Sequence, residues 1–247
     1  MVPWLAEVAR LPSEDAVVLE RAPVTVAEDK PLVIACPITP RLSNFDDLDP
    51  LAQTEGVEVR MIRPGTPLPV DADLVVLAGS KATSADLEFL RAEGWDIDLL
   101  AHVRRGGRVL GICGGYQMLG RTIADPSGVE GPAGEVNGLG LLAVDTVLAG
   151  VKALRTVAGT ALDAAFDGYE LHIGTTIGPD TARPMALLED GRPDGAMSAN
   201  GRIMGTYVHG LFNKAAQRSA WVRLLGGSPV AGGADHAAVV DEALDAI

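Results

Sequence analysis

Arg108-Val109-Leu110-Gly111-Ile112-Cys113-Gly114-Gly115-Tyr116-Gln117 passes from an apolar run straight into the start of a helix. RVLGIC has the length and apolar content of a buried strand, and GGYQMLG begins with nothing but glycine between strand and helix. Gly-x-Cys-x-Gly at such a junction is the nucleophile-elbow arrangement, with cysteine in place of serine. The sharp turn needs small neighbours at Gly111 and Gly115, so that strand and helix can approach. The helix N-terminus favours a thiolate, because its unpaired N–H groups and dipole stabilise negative charge. The amide of Gly114 is then placed to donate to an oxyanion. The competing reading is an inert cysteine in a glycine-rich turn; it leaves three glycines around one cysteine without a reason.

Outward from this junction the same alternation recurs. PLVIAC (31–36), VEVRMI (57–62) and DLVVLAG (73–79) read as strands, the last entering a turn at Gly79-Ser80-Lys81. DDLDPLAQTEG (46–56) has helical spacing. SADLEFLRAEGWDIDLLAHVRRGG (84–107) reads as one helix, with Ser84 as its cap and Gly106-Gly107 as its stop. Apolar strands alternating with helices predict an α/β fold, a mostly parallel central sheet with helices on both faces. In the second half LGLLAVDTV, GYELHIGTTIG and RIMGTYVHGLF read as strands joined by turns, with a final helix near AAQRSAWVRLLGG. Residues 1–30, interrupted by Pro3, Pro12 and Pro23, read as a linker from an upstream domain, and 31–247 as one domain.

The chain has 247 residues, with 20 Lys+Arg against 33 Asp+Glu and a net charge of −13. Such a balance repels nucleic acid and anionic membrane surfaces, so neither is expected as a partner. Hydrophobic content of 47% with 21% charged residues marks a globular chain. There is no apolar run of about 18 residues and no basic-then-apolar leader at the start, so the expected compartment is the cytoplasm. Two cysteines, Cys36 and Cys113, are too few for a disulfide framework or a Cys-based zinc site, and no metal is expected. Cys36 closes an apolar strand and reads as core. A thiolate at Cys113 needs a base. Of the four histidines, His102 and His236 read as solvated. His209, after a short strand and flanked by glycines, is the first choice, but on spacing alone His172 is nearly tied with it.

Gly111 to Gln117, taken with Tyr207-Val208-His209-Gly210, resembles the class I glutamine amidotransferases, which have a flavodoxin-like fold. Four further segments resemble the branch found in cobyrinic acid diamide and cobyric acid synthases. They are Pro40-Arg41-Leu42-Ser43-Asn44-Phe45-Asp46-Asp47-Leu48-Asp49-Pro50, Gly79-Ser80-Lys81-Ala82-Thr83, Gly168-Tyr169-Glu170-Leu171-His172-Ile173-Gly174 and Asp194-Gly195-Ala196. The likeness runs from about residue 31 to 225 and is closest to the carboxyl-terminal half of the cobyric acid synthases. It implies that Cys113 attacks L-glutamine and that His209 is the catalytic imidazole. His172 then shapes the glutamine pocket with Tyr116 and Ser80, Gln117 bonds the amino-acid end, and the amides of Gly114 and Gly79 form the oxyanion hole. It also implies a synthetase partner, in cis or in trans, that amidates corrinoid carboxylates. ATP and Mg are expected only there, because G-x-x-x-x-G-K-[ST] is missing and Gly79-Ser80-Lys81 is too short for a phosphate loop; this chain is expected to need no cofactor.

One position departs from the wider class, where a Glu two residues after the histidine orients the imidazole. Here it is Leu211, a loss shared by the branch, which leaves the orienting acid to Glu170 or to a partner. The other readings are the glutaminase subunit of a peptidoglycan-precursor amidating enzyme, another cysteine hydrolase on a similar elbow, and a docking module that has lost turnover.

Overall fold

The computed structural model describes residues 31–150, 153–229 and 233–245; the expected linker over 1–30 lies outside them. In the first half the strands are β1 Leu32–Pro37, β2 Leu42–Ser43, β3 Val57–Ile62, β4 Leu74–Leu77, β5 Gly79–Ser80 and β6 Arg108–Ile112. The second half adds β7 Thr122–Asp125, β8 Gly134–Asn137, β9 Asp145–Val147, β10 Ala153–Ala161, β11 Ala164–His172 and β12 Thr175–Ile177. It ends with β13 Ala186–Leu188, β14 Pro193–Asp194, β15 Ala196–Met197, β16 Ile203–Thr206 and β17 Val208–His209.

Six of these form the central sheet, in the order β15-β16-β6-β4-β1-β3. Every pairing is parallel except β15 with β16, as the alternation of apolar strands and helices predicts. β4 is buried along its whole length, which a strand covered on both faces requires. The chain runs from β1 outward to β3, then returns on the other side of β1 as β4. The crevice beyond the carboxyl ends of β1 and β4 is therefore a topological switch point, where open α/β sheets bind ligands.

On one face Val75, Val109 and Tyr116 pack with Leu87, Leu90, Trp95 and Leu99. The last four belong to helices α2 Thr83–Ala92 and α3 Trp95–Arg104. The other face is closed by a helix and a second sheet together. Trp221 of α5 Ala215–Leu224 joins Val157 of β10 and Phe166 of β11 over Ile34, Val76 and Leu110. That second sheet runs β14-β13-β10-β11-β17, and a smaller one runs β12-β9-β7-β8. No helix among the described residues is long and apolar enough to cross a membrane.

Several local expectations are corrected. The helix expected over 84–107 is two, because Gly94 takes a left-handed φ of 75° and turns the chain so that Trp95 is fully buried. Ser84 lies inside the first turn of α2 and caps nothing; the Thr83 amide instead donates to Glu130 Oε2 at 2.7 Å. Residues 46–56 hold only a 3-10 turn, Phe45–Leu48, and the single helical turn α1 Asp49–Ala52. Gly79-Ser80 is a strand paired antiparallel with β2, not a turn. His102 is not solvated. Its ring lies beneath Gly107 with Nε2 2.9 Å from the Arg108 carbonyl, and burial lowers its pKa. His236, in α6 His236–Asp245, is half-buried. Cys36 is a core residue whose thiol burial pushes up to about 12.

The strand-to-helix junction at Cys113 exists because two side chains are missing. A Cβ on Gly115 would lie 1.9 Å from the Leu77 carbonyl oxygen, and one on Gly111 would lie 2.6 Å from the Gly115 backbone. Both obstacles are main chain, so no rotamer change relieves them. Overpacking of this kind costs about 1–3 kcal/mol or more, and each kcal/mol is worth about 2–4 °C in a domain of this size. Gly115→Ala is expected to lower the thermal midpoint by at least about 2 °C by calorimetry. An unchanged midpoint would mean that helix α4 Gly114–Leu119 can slide off the sheet freely.

Candidate active site

Four neighbouring strands of the central sheet, β16, β6, β4 and β1, deliver the site from their carboxyl ends. Cys113 follows β6 directly, with φ 54° and ψ −112°. A non-glycine residue holds such a conformation only when its surroundings impose it. The Cys113 amide donates to the Thr206 carbonyl at 2.8 Å, which pins the elbow to β16. Its thiol, half-buried, donates to the Leu171 carbonyl at 3.0 Å.

His209 is fully buried, and its Nδ1 lies 2.7 Å from Asp47 Oδ2. With a carboxylate as acceptor, Nδ1 carries the proton, so Nε2 is the nitrogen left for chemistry. Nε2 has no hydrogen-bond partner among the described residues. Asp47 Oδ1 accepts from the Gly210 amide at 2.7 Å, so one carboxylate holds both the ring and the backbone that carries it. Burial works against a charged imidazole here. The hydrogen bond to Asp47, together with the charges of Asp47 and Cys113, outweighs it and lifts the His209 pKa to about 10.

Asp47 takes the place that sequence reasoning left to Glu170 or a partner. The correction has a geometric cause. In the ladder of β11 with β17, Tyr169 stands opposite His209 and Glu170 opposite Val208. Successive side chains on a strand point to opposite faces, so Glu170 faces away from the imidazole. Both its oxygens instead meet the Arg192 guanidinium, at 3.2 and 3.0 Å. Leu211 lies in the core.

Gly114 sits against β5, where an added Cβ would come within 2.9 Å of the Ser80 amide nitrogen. The other expected oxyanion donor, Gly79, is turned elsewhere. Lys81 N donates to Arg41 O at 3.0 Å, and amide directions alternate along a strand. The Gly79 N–H therefore points into the pairing with Ser43, and the Ser80 N–H points away from it, towards Gly114. The Ser80 hydroxyl is occupied: it donates to Asp86 Oδ2 at 2.6 Å and accepts from the Ala82 amide. The buried Asp86 carboxylate also accepts from Thr39 Oγ1 and the Arg41 amide, clamping β5 beside the segment that carries Asp47.

Gln117 is buried, and its two N–H groups go to the Ile173 carbonyl at 3.1 Å and the Tyr207 hydroxyl at 3.2 Å. Its oxygen accepts from Thr83 Oγ1 at 3.2 Å and keeps one lone pair free. It has acceptor capacity for an ammonium and no donor left for a carboxylate. His172 stacks on Tyr207, centroids 3.9 Å apart, and burial lowers its pKa towards the neutral ring. Tyr116, His172 and Tyr207 line a cavity of about 340 Å³ whose charged groups are Glu170, Arg192 and Asp194. Asp194, raised to about 6 by burial, accepts from the Thr206 hydroxyl and the Tyr207 amide, which fixes the turn leading to His209. Among the described residues no group of three or more His, Cys, Asp or Glu is gathered for a metal.

Residues 33–217 match the CobB/CobQ-like glutamine amidotransferase domain family. The chain is 62% identical over 247 residues to the cobyric acid synthase of Rhizorhabdus wittichii, covering 100% of this chain and 50% of that protein. The cobyric acid synthase of Sphingopyxis alaskensis is 58% identical over 248 residues, with the same coverage. The chain thus spans about half the length of these curated relatives. Among solved structures PurLQS from Thermotoga maritima superimposes with a TM-score of 0.55 at 16% identity, covering 88% of this chain and 99% of that one; it shares the fold.

An opposite charge at hydrogen-bond distance typically moves a pKa by about 1–3 units. Asp47→Asn is accordingly expected to bring the His209 titration down from about 10 by more than one unit, read by NMR. The raised pKa also fixes a sign for stability. The contribution of His209 is fully present below the ordinary histidine pKa of about 6.5 and is lost as pH rises through about 10. Urea unfolding between those limits should show stability falling with pH more steeply in the wild type than in Asp47→Asn.

Proposed function

The chain belongs to the CobB/CobQ-like glutamine amidotransferase family, and we propose that it is the glutaminase half of a cobyric acid synthase. Its role would be to hydrolyse L-glutamine and supply ammonia to a synthetase half that amidates corrinoid side-chain carboxylates in cobalamin biosynthesis. ATP and Mg²⁺ belong to that other half. That reading is supported by the pairing of Gly79-Ser80 with β2 and by the bond of Ser80 to Asp86.

The reaction starts when Nε2 of His209 takes the proton of the Cys113 thiol, giving a thiolate paired with the imidazolium. The thiolate attacks the side-chain carboxamide carbon, and the amides of Gly114 and Ser80 receive the oxyanion. Nε2 gives its proton to the leaving nitrogen, ammonia departs, and a glutamyl thioester remains. The neutral imidazole then takes a proton from water, and the hydroxide attacks the thioester. Collapse releases glutamate and restores the thiolate–imidazolium pair. Asp47 keeps the proton on Nδ1 throughout, so that Nε2 performs both transfers.

The substrate's other end carries one positive and one negative charge. Glu170 and His172 flank Leu171, whose carbonyl touches Cys113, and both line the cavity that Arg192 shares. A carboxylate and a guanidinium there match an α-ammonium and an α-carboxylate, with the Gln117 oxygen as a second acceptor for the ammonium.

The observation that carries this reading is the line from Asp47 through His209 to the side of the ring facing Cys113. Cys113→Ser is expected to leave less than about 1% of glutamate release, since a hydroxyl lacks the low pKa available to a thiol. Asp47→Asn should cut kcat by up to about 10⁴, the loss seen when the carboxylate behind a catalytic imidazole is replaced by its amide. Arg192→Ala should raise KM for glutamine at least about tenfold with kcat little changed, the mark of lost ground-state binding. Steady-state glutamate release decides all three. A Cys113→Ser variant with wild-type turnover would move the nucleophile elsewhere.

A further inference from the structure

A single hydrogen bond fixes a point on a ring, not its plane. With Nδ1 held by Asp47, the His209 imidazole could still tilt about that contact and swing Nε2 away from Cys113. The structure holds something against that tilt. The Tyr169 ring lies over the imidazole, with centroids 5.1 Å apart and planes 18° from parallel. The stack is set by the backbone, because Tyr169 is the ladder partner of His209. Strand contact there is so close that a Cβ on Gly168 would lie 2.1 Å from the His209 carbonyl oxygen. The tyrosine is anchored in turn: Asn44 Nδ2 donates to its hydroxyl at 2.8 Å. Asn44 stands in a left-handed conformation, φ 53°, at the head of the 3-10 turn that presents Asp47.

We propose that Tyr169 is a positioning residue for His209, holding the imidazole plane so that Nε2 stays aimed at Cys113, and that Asn44 anchors it. One segment, Asn44 to Asp47, then supplies both restraints on the ring, the carboxylate at its edge and the anchor of the aromatic plane over its face. The aromatic face also favours the charged ring, as it favours any cation lying over it. Around the imidazole the other titratable groups are Asp47 and Cys113, with Asp46 and His172 further out.

The inference rests on the glutaminase reading for its kinetic readout but not for its titration. Tyr169→Leu, which keeps bulk and loses the flat face, is expected to lower kcat about 10- to 100-fold, the scale of a misplaced catalytic group. KM should stay within about twofold. The His209 titration should fall by about 0.5 to 1.5 units, the equivalent of one cation–aromatic contact shielded from water. Tyr169→Phe should restore the titration and most of kcat, and Asn44→Ala should fall between the two. Wild-type kcat and titration in Tyr169→Leu would overturn the proposal, as would a Phe variant as impaired as Leu. Should Tyr169→Leu fail to fold, Asn44→Ala decides, and an unchanged kcat there is the negative result. A wild-type chain that releases no glutamate would defeat the glutaminase reading alone. The titrations, with the rate of Cys113 alkylation by iodoacetamide at neutral pH, would still tell whether Tyr169 holds the ring.

Discussion

Both oxygens of one buried carboxylate, Asp47, are spent on the same short stretch of chain, the His209 ring and the Gly210 amide. The two partners are 162 and 163 residues away in sequence, so this contact joins the beginning of the domain to the strand that closes its site. Breaking one side of such a pair leaves an uncompensated buried charge, at a cost of about 3–5 kcal/mol. The neighbouring polar contacts follow the same logic. Asp86 gathers Thr39, Arg41 and Ser80, and Asp194 gathers Thr206 and Tyr207. Each buried acid ties a carboxyl-end loop of the parallel sheet to the next. Such fully bonded networks rigidify a site more than their individual bonds suggest.

What could be read from the sequence was what short-range physics dictates. The elbow needs Gly111 and Gly115 because main chain meets main chain there, and that requirement shows as glycines at fixed spacing around one cysteine. The parallel core shows as apolar runs such as LVVL, because both faces of β4 are covered. The two-helix break at Gly94 was missed because a helical apolar period continues across it, and only burial of Trp95 makes the left-handed turn worthwhile. His102 was missed for a related reason: nothing near it in sequence reports the cavity beneath Gly107 that its ring fills.

Asp47 was the largest omission, and its cause is instructive. The segment holding it was conspicuous as Asn44-Phe45-Asp46-Asp47-Leu48-Asp49, but three acids lie within four positions. Which of them faces inward depends on a 3-10 turn started by a left-handed asparagine, and the apolar spacing there suggested an ordinary helix instead. Asp46 and Asp47, one residue apart, end in different environments: the first half-exposed with its pKa raised, the second buried against His209. Glu170 looked suitable because it shares a motif with His172. The two-residue period of a strand, applied to Tyr169 and His209 as partners, excludes it.

The sheet explains why the orienting acid has to come from so far away. Cys113 leaves β6, the Ser80 amide follows β4, and His209 follows β16, so the proposed nucleophile, oxyanion donor and base occupy three adjacent strands. Strands lie about 4.8 Å apart, which places these groups near one another with no help from loops. β1 is three spacings from β16, roughly 14 Å, and Asp47 can reach His209 only if the chain after β1 crosses over the carboxyl ends of β4 and β6. That crossing is what β2, the 3-10 turn and the Asp86 clamp accomplish. Once it is made, an acid just after the histidine is redundant. Position 211 can then be given to the core, where Leu211 packs among Val208, Phe212 and Trp221. A glutamate there would bring a second negative charge into a site whose single imidazolium Asp47 already neutralises, and its burial would go uncompensated. Leucine at position 211 is thus a consequence of where the acid comes from, and not a gap in the proposed catalytic set.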